Sequence, residues 1–350
     1  MWFTSDNAGP AAPQIIEAMI KANQGYASAY GADDGMERVT HKLREIFEAP
    51  DAAIYLVATG TAANALGLSL LCPPWATIYC HRNAHVEEDE CGAPEFYTGG
   101  AKLRLLEGPS AKIDPKSLRD AIRNTARAGV HNVQRGALSI TNATENGTVY
   151  TSAEIAELAK IAHESAIPVH LDGARFANAL VNQGCSPAEA SWKAGIDVLS
   201  FGGTKNGLIG VEAVILFDPA MAWEFELRRK RGGHLVSKHR FLSAQMDAYL
   251  TNGLWLQLAA KANKAATKLA NAVQTFANAK LIYKTEANAV FAQWPRHGHR
   301  KAHDLGAKYY LWPGDQSLDG PEDTLLSARL VCNWATTDAE IKALIAAIQT

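Results

Sequence analysis

The chain of 350 residues predicts an α/β fold: a large domain built on a mostly parallel sheet, then a smaller α+β C-terminal domain. Three observations predict it. Short apolar runs alternate with amphipathic segments from about Ala53 to Phe217, the pattern of a sheet covered on both faces. The length corresponds to about two domains at roughly 150 residues each. Beyond about Gln245 the texture changes to a long Ala/Lys/Leu stretch followed by isolated strand-like pieces. The large domain is expected over 14–245. The small domain is expected over 246–350, joined by an N-terminal arm, 1–13.

Each element has its own warrant. Gln14–Asn23 follows a Gly9-Pro10 turn and reads as a helix. Met36–Phe47 places Val39, Leu43 and Ile46 on one helical face. Ala53–Val57 is a short apolar strand, Thr61–Leu71 a buried helix, and Thr77–Cys80 and Lys102–Leu106 are strands. Pro115–Ala128 is amphipathic, and Ala137–Thr141 is a strand. Ser152–Glu164 is a helix opened by Thr151 or Ser152 with Glu154 in its first turn. Val169–Leu171 and Val198–Phe201 are buried strands flanking a helix at Pro187–Ala194, and Val211–Phe217 is a further strand. A helix at Leu254–Ala279, strands at Ala289–Trp294 and Leu325–Cys332, and a helix at Asp338–Ile348 make up the small domain.

Composition excludes several classes of partner. Lys+Arg of 34 against Asp+Glu of 36 leaves a net charge of −2, without the basic excess that a nucleic-acid or anionic-membrane binder needs. The five cysteines are odd in number and no pair has C-x-x-C spacing, which disfavours a disulfide framework or a structural zinc site. A reducing, cytoplasmic setting is expected, and the N-terminus shows no basic-then-apolar leader. The uncharged window Ala52–Cys80 is long enough to span a bilayer. However, it contains Thr59-Gly60-Thr61, Asn64 and Pro73-Pro74, so it reads as strand, turn, helix, loop and strand. His297, His299 and His303 have metal-like spacing but no acid partners, and no metal is expected.

Ligands of such a fold bind at the carboxyl ends of its strands. No two glycines stand two apart, and G-x-x-x-x-G-K-[ST] is absent, which disfavours the dinucleotide and P-loop folds. Thr59-Gly60-Thr61-Ala62 lies between a strand and a helix, where backbone N–H groups and hydroxyls can cradle a phosphate; a plain tight turn is the bland alternative. Asp172 closes a buried strand, with Arg175 three residues on; a structural Asp–Arg pair is the alternative there. Lys205 sits in Gly202-Gly203-Thr204-Lys205-Asn206-Gly207, where partial desolvation can make it an amine nucleophile; the alternative is a solvated loop lysine. A phosphate cradle, a strand-end Asp and a strand-end Lys, in that order, form the arrangement for pyridoxal phosphate (PLP).

Ser5-Asp6-Asn7, Tyr30-Gly31-Ala32-Asp33-Asp34, Thr59 to Asn64, His85, Asp172-Gly173-Ala174-Arg175, Gly202 to Gly207 and Ala328-Arg329-Leu330-Val331 span nearly the whole chain. In this order they resemble the low-specificity L-threonine aldolases, or phenylserine aldolases, of the fold-type-I PLP enzymes. The resemblance implies a cytoplasmic homodimer or homotetramer acting on a small amino acid. It implies that Lys205 carries the Schiff base, that Asp172 pairs with the pyridine nitrogen, and that Thr59, Gly60, Thr61 and Thr204 bind phosphate. His85 would stack on the ring near the substrate hydroxyl. Arg175 would approach the 3-oxygen or the substrate carboxylate, which Arg329 and Ser5 hold. Tyr30 and Arg228–Arg231 would reach a neighbouring subunit's site.

The implied reaction is retro-aldol cleavage of a β-hydroxy-α-amino acid to glycine and an aldehyde. Many relatives carry a second histidine in a Glu-Asn-Thr-His stretch. Here the region reads Thr141-Asn142-Ala143-Thr144-Glu145, with Thr144 at the histidine's position, so His85 is the expected base. β-Elimination or transamination on the same scaffold is the nearest alternative. A non-catalytic PLP-binding protein is the alternative from another class.

Overall fold

A computed structural model of the chain describes residues 1–349. The N-terminal arm makes one 3₁₀ turn, Asp6–Ala8, before helix α1 (Pro13–Ala22). Helix α2 (Asp34–Ile46) is opened by the Asp33 carboxylate, which accepts the Met36 N–H, and buries Met36, Val39 and Leu43. There follow β1 (Ala53–Val57), α3 (Gly60–Leu71), β2 (Ala76–His81), α4 (His85–Glu88), α5 (Ala93–Thr98), β3 (Lys102–Leu106), α6 (Pro115–Asn124) and β4 (Gln134–Thr141). Helix α7 (Ser152–His163) starts with a full capping box between Thr151 and Glu154. Next come β5 (Val169–Gly173), α8 (Phe176–Gln183), β6 (Val198–Phe201), β7 (Glu212–Leu216), α9 (Ala222–Arg231), α10 (Arg240–Leu250) and α11 (Leu254–Val273). The C-terminal part holds β8 (Lys280–Leu281), β9 (Ala289–Pro295), α12 (Arg296–Asp304), β10 (Tyr310–Leu311), β11 (Leu325–Val331) and α13 (Asp338–Ile348).

Seven strands form the large sheet in the order β1-β7-β6-β5-β4-β2-β3. Its core strands are buried along their length because helices cover both faces, so no solvent face demands alternation. The sheet is mostly parallel, as expected, but β7 runs against both β1 and β6. The short connection from β6 into β7 permits only an antiparallel pair, since a parallel one needs a crossover of a dozen residues or so. The uncharged window folds as β1, α3 and β2, and α3 buries nearly every residue. Among the described residues no helix is long and apolar enough to cross a membrane.

The four-stranded C-terminal sheet, β10-β11-β9-β8, is antiparallel. Helix α11 serves two cores: Leu254, Trp255, Leu258 and Ala259 pack under the large sheet, and Ala265 to Val273 pack under the small one. The N-terminal arm also bridges the two. Phe3 is buried in the small core and bonds to Lys308 and Val331 backbone, while the Ala12 N–H reaches the Gly207 carbonyl.

Several local expectations are corrected. No α-helix forms over Pro187–Ala194, where only Trp192–Ala194 is a 3₁₀ turn. Only irregular turns form, such as the Ala190 N–H to the Ser186 carbonyl, and the Ser191 hydroxyl donates to the Pro187 carbonyl while the Ser186 hydroxyl accepts the Glu189 N–H. Helix α6 stops at Asn124, before Ala126 adopts a φ of +64°. Helix α11 stops at Val273 rather than Ala279. Helices α8, α9, α10 and α12 arise where none was expected. In α12 the inward face carries Arg296, Gly298, His299 and Ala302, so its amphipathic signal is hidden by polar residues.

Candidate active site

The carboxyl ends of β1, β2, β5 and β6, together with the amino end of the reversed β7, converge on a cleft of about 560 Å³. Thr59, Gly60, Thr61, His85, Asp172, Thr204 and Lys205 all line it. A larger groove of about 930 Å³ runs along α2, but it carries none of these groups.

Local rules place each one. Thr59 is the N-cap of α3 and its hydroxyl accepts the Ala62 N–H. Thr59 is thus spent on the cap, while Gly60 and Thr61 occupy the first two helical positions, whose N–H groups have no intrahelical acceptor. A Cβ on Gly60 would meet nothing within 4 Å, so the space above the helix start is open. Asp172, on β5, is buried, and its Oδ1 accepts the Ala174 N–H at 3.0 Å. Lys205 sits in the 3₁₀ turn Thr204–Asn206 after β6. This turn lies directly on the Asp172 loop: a Cβ on Gly202 would stand 2.2 Å from the Ala174 carbonyl oxygen. The paired glycines therefore exist because two backbones touch there.

An unexpected acid holds that turn. Glu212, the first residue of β7, is buried and lines the cleft. Its Oε2 accepts the Gly203 N–H at 2.5 Å and the Thr204 N–H at 3.5 Å. The Thr204 hydroxyl bonds to Glu212 and accepts the Val211 N–H, so Thr204 is tied into the turn as well as facing the cleft. Burial pushes the Glu212 carboxyl up to about 7, against hydrogen bonds from the turn and the Lys205 charge. Its folded value lies above the ordinary 4.5, so the cofactor-free protein loses stability as pH rises from about 4.5 through about 7. Glu212→Gln is therefore expected to gain up to about 3 kcal/mol at pH 8 and almost nothing at pH 4. Urea unfolding at the two pH values checks this, and an equal effect at both would refute it.

Arg175 is not paired with Asp172. It makes a buried, two-point contact with Asp6 of the arm: Nε to Oδ2 at 2.8 Å and Nη2 to Oδ1 at 3.1 Å. Asn288 of the C-terminal part adds a hydrogen bond to Asp6 Oδ2. Burial pushes Asp6 up, but Arg175 and Lys205 outweigh it and bring the carboxyl down to about 2. Two of the three guanidinium nitrogens of Arg175 are thus already committed, and Arg175 is absent from the cleft wall.

Ser5, Tyr30 and Arg329 also lie outside that wall. Ser5 caps the arm's 3₁₀ turn by accepting the Asn7 N–H. Arg329, on β11, reaches the Thr4 carbonyl at 3.4 Å and stands 5.9 Å from the Trp312 ring. Burial and the Arg175 charge lower its pKa. Tyr30 is half-exposed with a φ of +60°, and Lys230 lies 5.3 Å from its ring. In the basic run, Arg228 pairs with Glu224, and Arg229 is buried against Glu226 and the Tyr55 ring.

His85 opens α4, and its Nδ1 lies 2.9 Å from Glu90 Oε1, which also accepts from the Asn64 side chain. Burial opposes protonation of His85, yet Glu90 and Asp172 prevail and raise its pKa. Thr144 is no counterpart: its hydroxyl is spent on Thr148 and the Ser110 carbonyl. The next residue, Glu145, exerts its charge on His85, Arg175 and Arg329 together. His299 stacks on Trp294 at 4.0 Å and bonds to Tyr309 and the Leu326 carbonyl, and His303 stacks on Tyr309, so both are core packing groups. No group of three or more His, Cys, Asp or Glu suited to a metal occurs among the described residues.

This donor set fits PLP. Free N–H groups and open space at a helix start suit a phosphate. A buried carboxylate suits a protonated ring nitrogen, and an amine in the same cleft suits the cofactor's aldehyde.

Comparison with known proteins points the same way. Residues 3–294 match the model of the beta-eliminating lyase family. The chain is 39% identical to a low specificity L-threonine aldolase of Pseudomonas sp. (strain NCIMB 10558), covering 99% of this chain and 96% of that one. It is also 39% identical to a Pseudomonas aeruginosa protein of the same name, over 98% and 95%. A solved threonine aldolase structure from Leishmania major superposes with a TM-score of 0.91 at 25% identity, covering 99% and 98%.

Proposed function

Because the chain belongs to the beta-eliminating lyase family of PLP-dependent enzymes, we propose that it cleaves β-hydroxy-α-amino acids to glycine and an aldehyde. L-Threonine, L-allo-threonine and phenylserine are its substrates on this reading. One observation carries it: Asp172, Lys205, His85 and the Gly60–Thr61 helix start line one cleft of a fold shared with threonine aldolases. Bound PLP supplies an electron sink for the carbanion left at Cα when the Cα–Cβ bond breaks.

The chain's own groups have separate tasks. Gly60 and Thr61 offer N–H donors to the phosphate, and Thr204, its hydroxyl shared with Glu212 and Val211, fixes the turn on the phosphate side of the cleft. Asp172 keeps a proton on the ring nitrogen, because a carboxylate stabilises the positive form beside it. Lys205 Nζ is the attachment point and carries protons to and from the amino group. Arg329, with Ser5 beside it, holds the substrate carboxylate. That grip would fix the substrate's orientation, so that the Cα–Cβ bond is the one set to break. His85 takes the β-hydroxyl proton, the Cα–Cβ electrons move to Cα, the oxygen becomes the aldehyde carbonyl, and a solvent-derived proton added at Cα completes glycine. Thr59 acts through its helix cap, and Arg175 supports the carboxylate end from its Asp6 anchor. The Tyr30 loop and the Arg228–Arg231 run are assigned to the site of a neighbouring copy in a homodimer or homotetramer.

Incubating the loaded enzyme with each substrate and measuring glycine and aldehyde tests the reading. Keto acid and ammonia from serine, with no glycine from any substrate, would replace it with β-elimination. Arg329→Lys should raise KM for L-threonine about tenfold to a hundredfold with a smaller change in kcat, since an ammonium cannot make the two-point contact. Steady-state kinetics check this, and an unchanged KM would remove Arg329 from the carboxylate site.

A further inference from the structure

Four acids follow His85 at positions 87 to 90. Glu87, Glu88 and Asp89 are exposed, and Glu90 alone turns inward. Its side chain is wholly buried, and Oε1 bonds to two residues of the cleft wall, His85 at 2.9 Å and Asn64 at 2.8 Å. Glu90 Oε2 and Asn64 Oδ1 are both buried with no hydrogen-bond partner. One bond crosses to Asn64 on α3, and the other holds the imidazole of its own segment, so the same oxygen ties His85 to the helix that opens at Gly60.

We infer that Glu90 is the positioning residue of His85, holding the imidazole by Nδ1 so that Nε2 faces the substrate's β-hydroxyl as the acceptor of its proton. The inference rests on the aldolase reading and extends it. A carboxylate can only accept, so the Nδ1 proton points at Glu90 and Nε2 carries the free lone pair. When Nε2 takes the hydroxyl proton, the positive charge on the ring is matched by Glu90 at hydrogen-bond distance. With Thr144 bonded to Thr148 and Ser110, His85 is the one imidazole among the cleft-lining residues, so the whole base function falls on this pair.

The charged groups that bear on His85 are Glu90 from its own loop, Asp172 from β5, Lys205 from the turn after β6 and Glu145 from the loop after β4. Of these, the negative ones raise its pKa and Lys205 lowers it; Glu90 is the one that touches the ring.

The test uses Glu90→Gln in the PLP-loaded enzyme. Gln keeps the size and an acceptor oxygen but removes the charge. The expected result is an acid limb of the kcat/KM profile moved down by about one pH unit, with kcat/KM lowered about tenfold to a hundredfold at neutral pH. In a His85→Asn background the same change should have no further effect. An unmoved limb, or a full additional loss in His85→Asn, overturns the inference. A second measurement needs neither activity nor a variant. NMR titration of His85 in the wild-type protein should place its pKa above an ordinary imidazole, with the Nδ1–H tautomer at high pH. A value below the ordinary one, or the Nε2–H tautomer, overturns it. If the wild type releases no aldehyde but the NMR result holds, the aldolase reading has failed and the pair stands.

Discussion

Lys205→Ala should abolish aldehyde release, lowering kcat/KM for L-threonine by at least about a thousandfold. The lysine amine is the group by which the family's cofactor is attached, and no other lysine lines the cleft. No side-chain hydrogen bond or ion pair of Lys205 enters the network that builds the turn, which is fixed instead by Glu212 and by Asn206 bonding to Tyr249 and the Trp255 carbonyl. The variant should therefore keep its melting behaviour to within about 1 kcal/mol. It should also lose the visible absorbance of the lysine-linked cofactor and resist borohydride fixation. Retained turnover together with an unaltered spectrum would remove Lys205 from the mechanism and PLP chemistry with it.

The second large effect is on stability. Asp6→Ala leaves the Arg175 guanidinium buried without its two-point partner, which should cost about 3–5 kcal/mol in urea unfolding. Asp6 also accepts from Asn288, so one carboxylate ties together the arm, the β5 loop and the C-terminal part. Its folded pKa of about 2 lies below the ordinary 3.8, so its contribution is complete above about pH 4 and is lost as pH falls towards 2. From these two values it amounts to about 2 kcal/mol between pH 5 and pH 2. The variant should show a flatter acid limb than the wild type. A loss under 1 kcal/mol, or an acid limb parallel to that of the wild type, would show the pair to be a minor fastening.

Much of this was legible in the sequence because it is local. Alternating apolar runs placed the strands of the large sheet, and Thr59, Asp172 and Lys205 stand at their ends. The groups that sequence reading missed are bound by long-range pairing. Asp6 was visible within Ser5-Asp6-Asn7, but its partner Arg175 lies 169 positions away, and no spacing rule joins them. Glu90 was hidden in a charge run, because exposure of three neighbours and burial of the fourth depends on α3 packing across it. Glu212 escaped because ligand groups are sought at strand carboxyl ends, and only the reversal of β7 brings a strand's amino end to the same rim. Glu145 follows the departure at Thr144; an acid beside a missing histidine was the available signal.

The reversed β7 also sets the order in which the protein can be assembled. Strand β1 reaches the sheet only by pairing with β7, roughly 160 residues further along, so this is among the slowest contacts to close. The helix start that receives the phosphate hangs from β1. A nascent or refolding chain can therefore form β2 to β6 while its binding site is still open. Gain of cofactor colour is therefore expected to lag the formation of β2 to β6 when the protein is refolded with PLP.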